Sequence, residues 1–131
     1  MSAENLEIVR RLVEAFNDRD LDAMSAVVDP EGELHTLRAQ LEGRPYRGHA
    51  GLRQMFSDFD QDWEFVQLEA EELRETGDQV VILGRLRARG RTSRVDLDVP
   101  IGFVWRLRGG KAVYGRTFSE QADALRAAGL D

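Results

Sequence analysis

Near the C-terminal end, the stretch "VYGRTF" sets Tyr114, Arg116 and Phe118 at alternating positions. An arginine held between two aromatics on one strand face can grip a carboxylate or enolate through a forked pair of hydrogen bonds. That grip strengthens where water is excluded. The other reading gives a buried guanidinium an internal partner, since a buried charge must be paired: Glu14 or another acid, or stacking on Trp105 or Tyr114. His35 is the candidate general base, with an imidazole suited to proton transfer near neutrality. Its direction turns on strand alternation, because with Leu34 and Thr36 inward it faces outward and is a surface histidine. His49, in "RGHAG", is read as an organiser of a turn or helix start. Tyr114 either donates a hydrogen bond to a bound carbonyl or is wall. His35, Tyr114 and Arg116 are the catalytic candidates.

Other chemistries are closed by composition. The 131 residues contain no cysteine, which removes disulfides, zinc–thiolate sites and thiol nucleophiles. With two histidines, a metal site would need carboxylates in an unusual geometry, so no metal and no cofactor is expected. A net charge of −6 argues against nucleic acid. All the basic residues but Lys111 are arginines, and they are dispersed among 24 acids, which reads as codon preference and not as a phosphate-binding patch. No apolar run approaches the ~20 residues of a membrane helix. "MSAENLEIVR" lacks the basic-then-apolar layout of a signal peptide, so the expected location is the cytoplasm.

The elements that must position these groups are legible from periodicity. Residues 4–18 put Leu6, Val9, Val13 and Phe16 on one helical stripe, thickened by Leu12, with Ser2 as N-cap and Glu4 in the first turn. Asp20 caps a second helix, "LDAMSAVV", stopped by Asp29-Pro30. A short strand around "ELHTL", a loop through "LEGRPYRG" and a third helix, "HAGLRQMFSDF", follow; that helix carries Leu52, Met55, Phe56 and Phe59 on one side. After Trp63 the pattern turns extended, with strands near 63–74, 79–89, 93–107 and 111–118. Ser119 caps a terminal helix closed by Gly129. Helices first and antiparallel strands afterwards describe one α+β domain over residues 1–131, its helices packed on one face of a curved sheet.

Alternation assigns faces. Val95, Leu97, Val99, Ile101, Phe103, Trp105 and Leu107 share the core-facing parity, with Asp96 and Asp98 outward. A turn centred between Arg91 and Thr92 sets Arg87 opposite Asp96 and Arg85 opposite Asp98. Arg85, Arg87 and Arg89 then form an outer ladder, with Ile82, Gly84, Leu86 and Ala88 inside. Pro100 marks a bulge in the long strand.

Three stretches in this order, "AFNDRDLDAM", "YRGHAGLRQMF" and "FVWRLRGGKAV", resemble the SnoaL-like branch of the NTF2-like, or ketosteroid-isomerase-like, superfamily. The resemblance runs over almost the whole chain. It implies a cone: a mostly antiparallel sheet wrapped around the first helix, enclosing an apolar pocket, in a homodimer paired through the outer sheet face. Ketosteroid isomerase combines an Asp base with a Tyr and a protonated Asp as donors. The corresponding positions here are Leu12, Thr36 (or His35) and Phe103, so that set is absent. The Asp-Arg-Asp arrangement of limonene-epoxide-hydrolase-like members is also missing. "RVD" at 94–96 lies one strand late, and the last-strand position is Thr117. The resemblance makes Leu12, Phe16, Thr36, Phe56, Phe59, Trp63, Phe103, Trp105 and Phe118 the expected pocket lining.

Fold does not decide function in such a family. One reading is a cyclase, isomerase or hydrolase acting on a small apolar carbonyl compound, with His35 as base and Arg116 and Tyr114 stabilising negative charge. The other is a module that binds a small apolar or aromatic ligand, or dimerises, without catalysis.

Overall fold

A computed structural model describes residues 2–130, with side chains from Glu4 onward. Helix α1 (Ser2–Asn17) buries Ile8, Val9, Leu12 and Ala15 and presents Leu6, Val13 and Phe16 to the same core. Ser2 is already helical, and its side chain lies outside the described residues. Helix α2 (Leu21–Val27) starts as expected, with the Asp20 carboxylate accepting from the Ala23 N–H at 3.0 Å. It runs directly into strand β1 (Val28–His35), so Pro30 sits inside a strand and does not follow a helix.

Next come helix α3 (Leu37–Glu42), the short strand β2 (Tyr46–Arg47) and helix α4 (Gly48–Asp62). Strands β3 (Trp63–Thr76), β4 (Gln79–Gly90), β5 (Asp96–Arg108) and β6 (Lys111–Phe118) precede helix α5 (Gln121–Ala127). The six strands make one curved open sheet in the order β2-β1-β6-β5-β4-β3. Every pairing is antiparallel except β1 with β6. Helices α1, α2 and α4 fill the inner face, and α5 lies on the outer one over Val81, Leu83 and Val104.

Several expectations are corrected. Helix α3 was not expected: it takes Leu37 from the expected strand and Leu41 and Glu42 from the expected loop, its Thr36 hydroxyl accepts from the Ala39 N–H at 3.1 Å, and the Gly43 that ends it is left-handed. Glu120, not Ser119, precedes α5, and no side chain caps it; Gly129 does close it at φ 77°. The β4–β5 turn closes on the Gly90 N–H to Val95 carbonyl bond, which places Arg89 opposite Asp96 and Arg87 opposite Asp98. Arg85 still reaches Asp98 diagonally, at 2.8 Å.

Pro100 makes no bulge. It lies beyond the end of β6, where β5 is paired on one side only and a missing N–H leaves no gap in the ladder. The sheet bends instead at Ala70–Glu72 of β3, opposite Gly84. There a Cβ on residue 84 would stand 2.1 Å from the Glu69 carbonyl. Of the residues assigned inward on β5, Ile101, Trp105 and Leu107 are buried, but Val99 is exposed because β5 runs past the helices that cover the face, and Val95 is exposed in the turn that precedes β5.

Asp58 is the buried charged residue of the core. Burial pushes its pKa up, but hydrogen bonds from Tyr46 (2.5 Å) and Gln54 (2.8 Å), together with the Arg38 charge, outweigh that and hold it below the usual carboxylate value. Burial and the same bond push the Tyr46 hydroxyl up. This contact pins β2 to α4. A carboxyl held low when folded contributes stability above its unfolded value of about 4, lost as pH falls through the folded value. Tyr46→Phe should therefore cost about 1–3 kcal/mol at neutral pH and move the acid limb of the Tm–pH curve upward; thermal melts from pH 2.5 to 7 check both.

Candidate functional site: a cavity in the cone

The inner face of the sheet and the helices enclose a cavity of about 530 Å³. Helix α1 contributes Leu12, Val13 and Phe16, presented at helical spacing. Across from them β5 contributes Ile101, Phe103 and Trp105, presented at strand spacing. Phe59 of α4 meets the Phe16 ring edge-on at 5.5 Å. Trp63 also lines the space, so both tryptophans of the chain stand on its wall.

The cavity opens beside α3. Leu37 and Leu41 line it yet are 39% and 90% exposed, which marks the mouth. Between them Arg38 donates to Asp62 at the end of α4 (2.6 Å) and to Glu42 (3.2 Å). The Glu42 hydrogen bond, then the charges of Asp58 and Asp62, raise the Arg38 pKa. The mouth is thus a guanidinium between two carboxylates.

Trp105 explains how the wall is closed at β6. It lies opposite Gly115, and a Cβ there would stand 2.5 Å from the indole Cζ3. The benzo edge therefore rests on bare backbone. The indole Nε1 is buried without a hydrogen-bond partner among the described residues.

The same register corrects the reading of β6. Phe103 pairs with Thr117 and Trp105 with Gly115, so Gly115 and Thr117 face the cavity. Tyr114, Arg116 and Phe118 take the outer face, opposite Arg106, Val104 and Gly102. Neither Tyr114 nor Phe118 lines the cavity, and Phe118 packs with Val104 and α5 instead. On β1, Leu34 faces the core, so His35 faces outward and bonds Glu33 through Nε2 at 3.1 Å. His35 and Arg116 border the cavity as strand residues, but their side chains point away from it. The three catalytic candidates do come together, with the His35 and Tyr114 rings 5.2 Å apart and Arg116 beside His35 in register. They do so on the wrong side of the sheet for cavity chemistry. The Arg116 guanidinium lies 5.5 Å over Phe118, not on Trp105, Tyr114 or an acid.

Of the expected lining residues, Leu12, Phe16, Thr36, Phe59, Trp63, Phe103 and Trp105 border the cavity. Phe56 does not; it is buried behind Phe16, 6.4 Å between centroids. The Thr36 hydroxyl is committed to capping α3. Thr117 faces the space, and its hydroxyl has no partner among the described residues. His49 ties the start of α4 to β1 by its bond to the Val28 carbonyl, 3.0 Å, as its place in "RGHAG" suggested. The sequence reading missed the mouth, although Thr36 and Gly43 bracket α3 with ordinary start and stop signals.

An α-helix wrapped by a curved sheet around an apolar cavity defines a cone-type pocket protein. The chain belongs to the SnoaL-like domain family, whose model matches residues 9–115. No curated protein matches the sequence. Among solved structures it is similar to an NTF2-like protein of unknown function from Burkholderia pseudomallei K96243 (TM-score 0.80, 23% identity, 95% of this chain and 97% of that one). It is also similar to TerC crystallised with polyporic acid (TM-score 0.79, 21% identity, 95% and 97% covered). A third is a candidate SnoaL-like polyketide cyclase from Jannaschia sp. CCS1 (TM-score 0.77, 18% identity, 98% and 94% covered). At these identities the likeness is one of fold.

Because the indole rests on Gly115, Gly115→Val should displace Trp105, lower stability by about 1–3 kcal/mol and shift tryptophan emission. Unchanged melting and emission would show that the two do not touch.

Proposed function

We propose that the protein is a single-domain, homodimeric cytoplasmic protein that binds a small apolar, ring-containing ligand in the cone. The observation that carries this reading is a cavity of about 530 Å³ whose ionisable side chains are confined to the mouth. That volume suits a ligand of drug-like size. The apolar wall supplies affinity by burial, and a few polar groups set orientation. The Thr117 hydroxyl meets an oxygen on the ligand's buried part, and the Arg38 cluster meets polar groups left at the entrance. The polyporic acid complex of TerC is in keeping with an aromatic ligand in such a cone.

A second reading is turnover of a carbonyl-bearing ligand by acid–base chemistry, as in the cyclases of this family. It is favoured by the carboxylates of Asp62 and Glu42 at the mouth, the ones that border the cavity. Deeper in, a base is missing among the described residues, so any proton transfer is restricted to the part of the ligand that reaches the entrance.

Since Trp63 and Trp105 both line the cavity, tryptophan emission reports occupancy directly. Titration with hydroxylated naphthoquinones should quench it saturably, and Phe103→Asp, which plants an unpaired carboxylate in the wall, should weaken that quenching at least tenfold. A panel of such compounds without effect on emission would contradict the binding reading. If a bound compound is consumed, and Asp62→Asn lowers the rate at least a hundredfold without changing binding, the second reading is correct.

The homodimer rests on the family's habit and on the charged outer face of β3–β5. Light scattering at micromolar concentration should give twice the 14.8 kDa chain mass; a monomer would contradict it.

A further inference from the structure

The outer face of the sheet divides into two unequal halves on either side of α5. On β4 every arginine has an acid. Arg85 bonds Asp98 at 2.8 Å, Arg87 approaches Glu69 at 3.3 Å, and Arg89 bonds Asp96 at 2.6 Å and Glu64 at 3.3 Å. Toward β6 and the loop after α3, arginines stand without one. Arg44, Arg106 and Arg116 have no carboxylate within 4.0 Å among the described residues. Glu33, the acid of β1 next to His35, is already engaged by Arg47 (2.7 Å) and by His35 (3.1 Å). These unpaired arginines occur in a chain of net charge −6.

Two of these cations also share a concavity. A hollow of about 240 Å³ beside α3 is lined by His35, Gln40, Arg44 and Arg116, with Gly43 and Pro45 at its edge. Arg116 is half-buried, so its charge is only partly hydrated, and it has no protein counter-ion. Its guanidinium is held over the Phe118 ring, whose own position is fixed by packing against Val104 and α5. A stacked guanidinium keeps its N–H edge free, and that edge is the part that forks onto an oxyanion. Gln40 is likewise fixed, its amide nitrogen donating to the carbonyls of His35 (2.9 Å) and Thr117 (2.8 Å). A half-buried, pre-positioned, unpaired guanidinium is costly unless a ligand completes it.

We propose that this hollow is an anion site, separate from the cone, in which Arg116 and Arg44 hold a carboxylate or phosphate group with the His35 ring as one wall. The group belongs to a small anion or to the anionic end of a larger metabolite. The site does not depend on the ligand-binding reading of the cone: the two cavities share His35 and Arg116 as bordering residues, but Arg44 lines only the outer hollow.

The two histidines make the test clean. His49 is held at the Val28 carbonyl away from the hollow and serves as an internal control. Side-chain ¹H–¹⁵N spectra are recorded while inorganic phosphate, and in a second arm benzoate, replaces chloride at constant ionic strength. The expected result is a saturable shift of the His35 resonances with His49 unmoved, in the arm whose oxyanion fits. Arg116→Gln and, independently, Arg44→Gln should each weaken that saturation at least fivefold. Arg44 is exposed, so its variant will fold even if Arg116→Gln does not. A linear shift in both arms, or a saturation that Arg44→Gln leaves intact, would overturn the proposal. So would an anion-dependent change in mass by light scattering, because the hollow would then be a contact between two copies of the chain. Naphthoquinone quenching in Arg44→Gln should match the parent protein, which keeps this outcome distinct from that of the cone.

Discussion

The contact of the Trp105 indole with the bare backbone of Gly115 sets the register on which the rest of the molecule depends. A ring this large can lie against the neighbouring strand only where that strand has no side chain. The glycine fixes which parity of β6 faces inward, and every functional assignment on that strand follows from it. Thr117 is cavity wall. Tyr114, Arg116 and Phe118 are outer surface. A shift of one residue would have exchanged the two sets, placing a guanidinium in the cone and leaving the outer hollow without Arg116.

With that register in place, the chain separates apolar from ionic chemistry by face. Inside, α1, α4 and β5 meet in a wall of aliphatic and aromatic groups, and polarity is limited to Thr117 and the Arg38 cluster at the entrance. Outside, the β4 arginines are matched by acids of β3 and β5, while nearer β1 Arg106 and Arg116 lie over aromatic rings and Glu33 is engaged by Arg47 and His35. The short helix α3 serves both sides. Its Leu37 and Leu41 rim the cone, and its Gln40 closes the ends of β1 and β6 behind the outer hollow. A six-residue segment therefore separates two cavities of opposite character.

Much of this was legible in the sequence because it rests on local rules. The stripe of Leu6, Val9, Val13 and Phe16, the Asp20 cap and the four long strands follow from side-chain period and capping chemistry. Leu12, Phe103 and Trp105 were recognisable as lining from the family resemblance, and they border the cavity. Errors arose where a local rule left two answers. The β4–β5 turn closed later than its residues suggested, moving each cross-strand partner of the arginine ladder by two. Val99 obeys the inward alternation but extends past the helices that would have covered it, and Val95 falls in the turn before the strand begins.

By itself the sequence determined the class of fold, the aromatic and aliphatic stock of the cavity, and the absence of thiol chemistry, since these depend on composition and on periodicity along the chain. Tertiary structure decided which side of the sheet Arg116, Tyr114 and His35 occupy, and that Arg38 and Asp62, 24 positions apart, guard one entrance. A strand has two faces of equal local merit. Only contacts made with distant segments, here Trp105 on Gly115 and Leu34 against the helical core, break that symmetry.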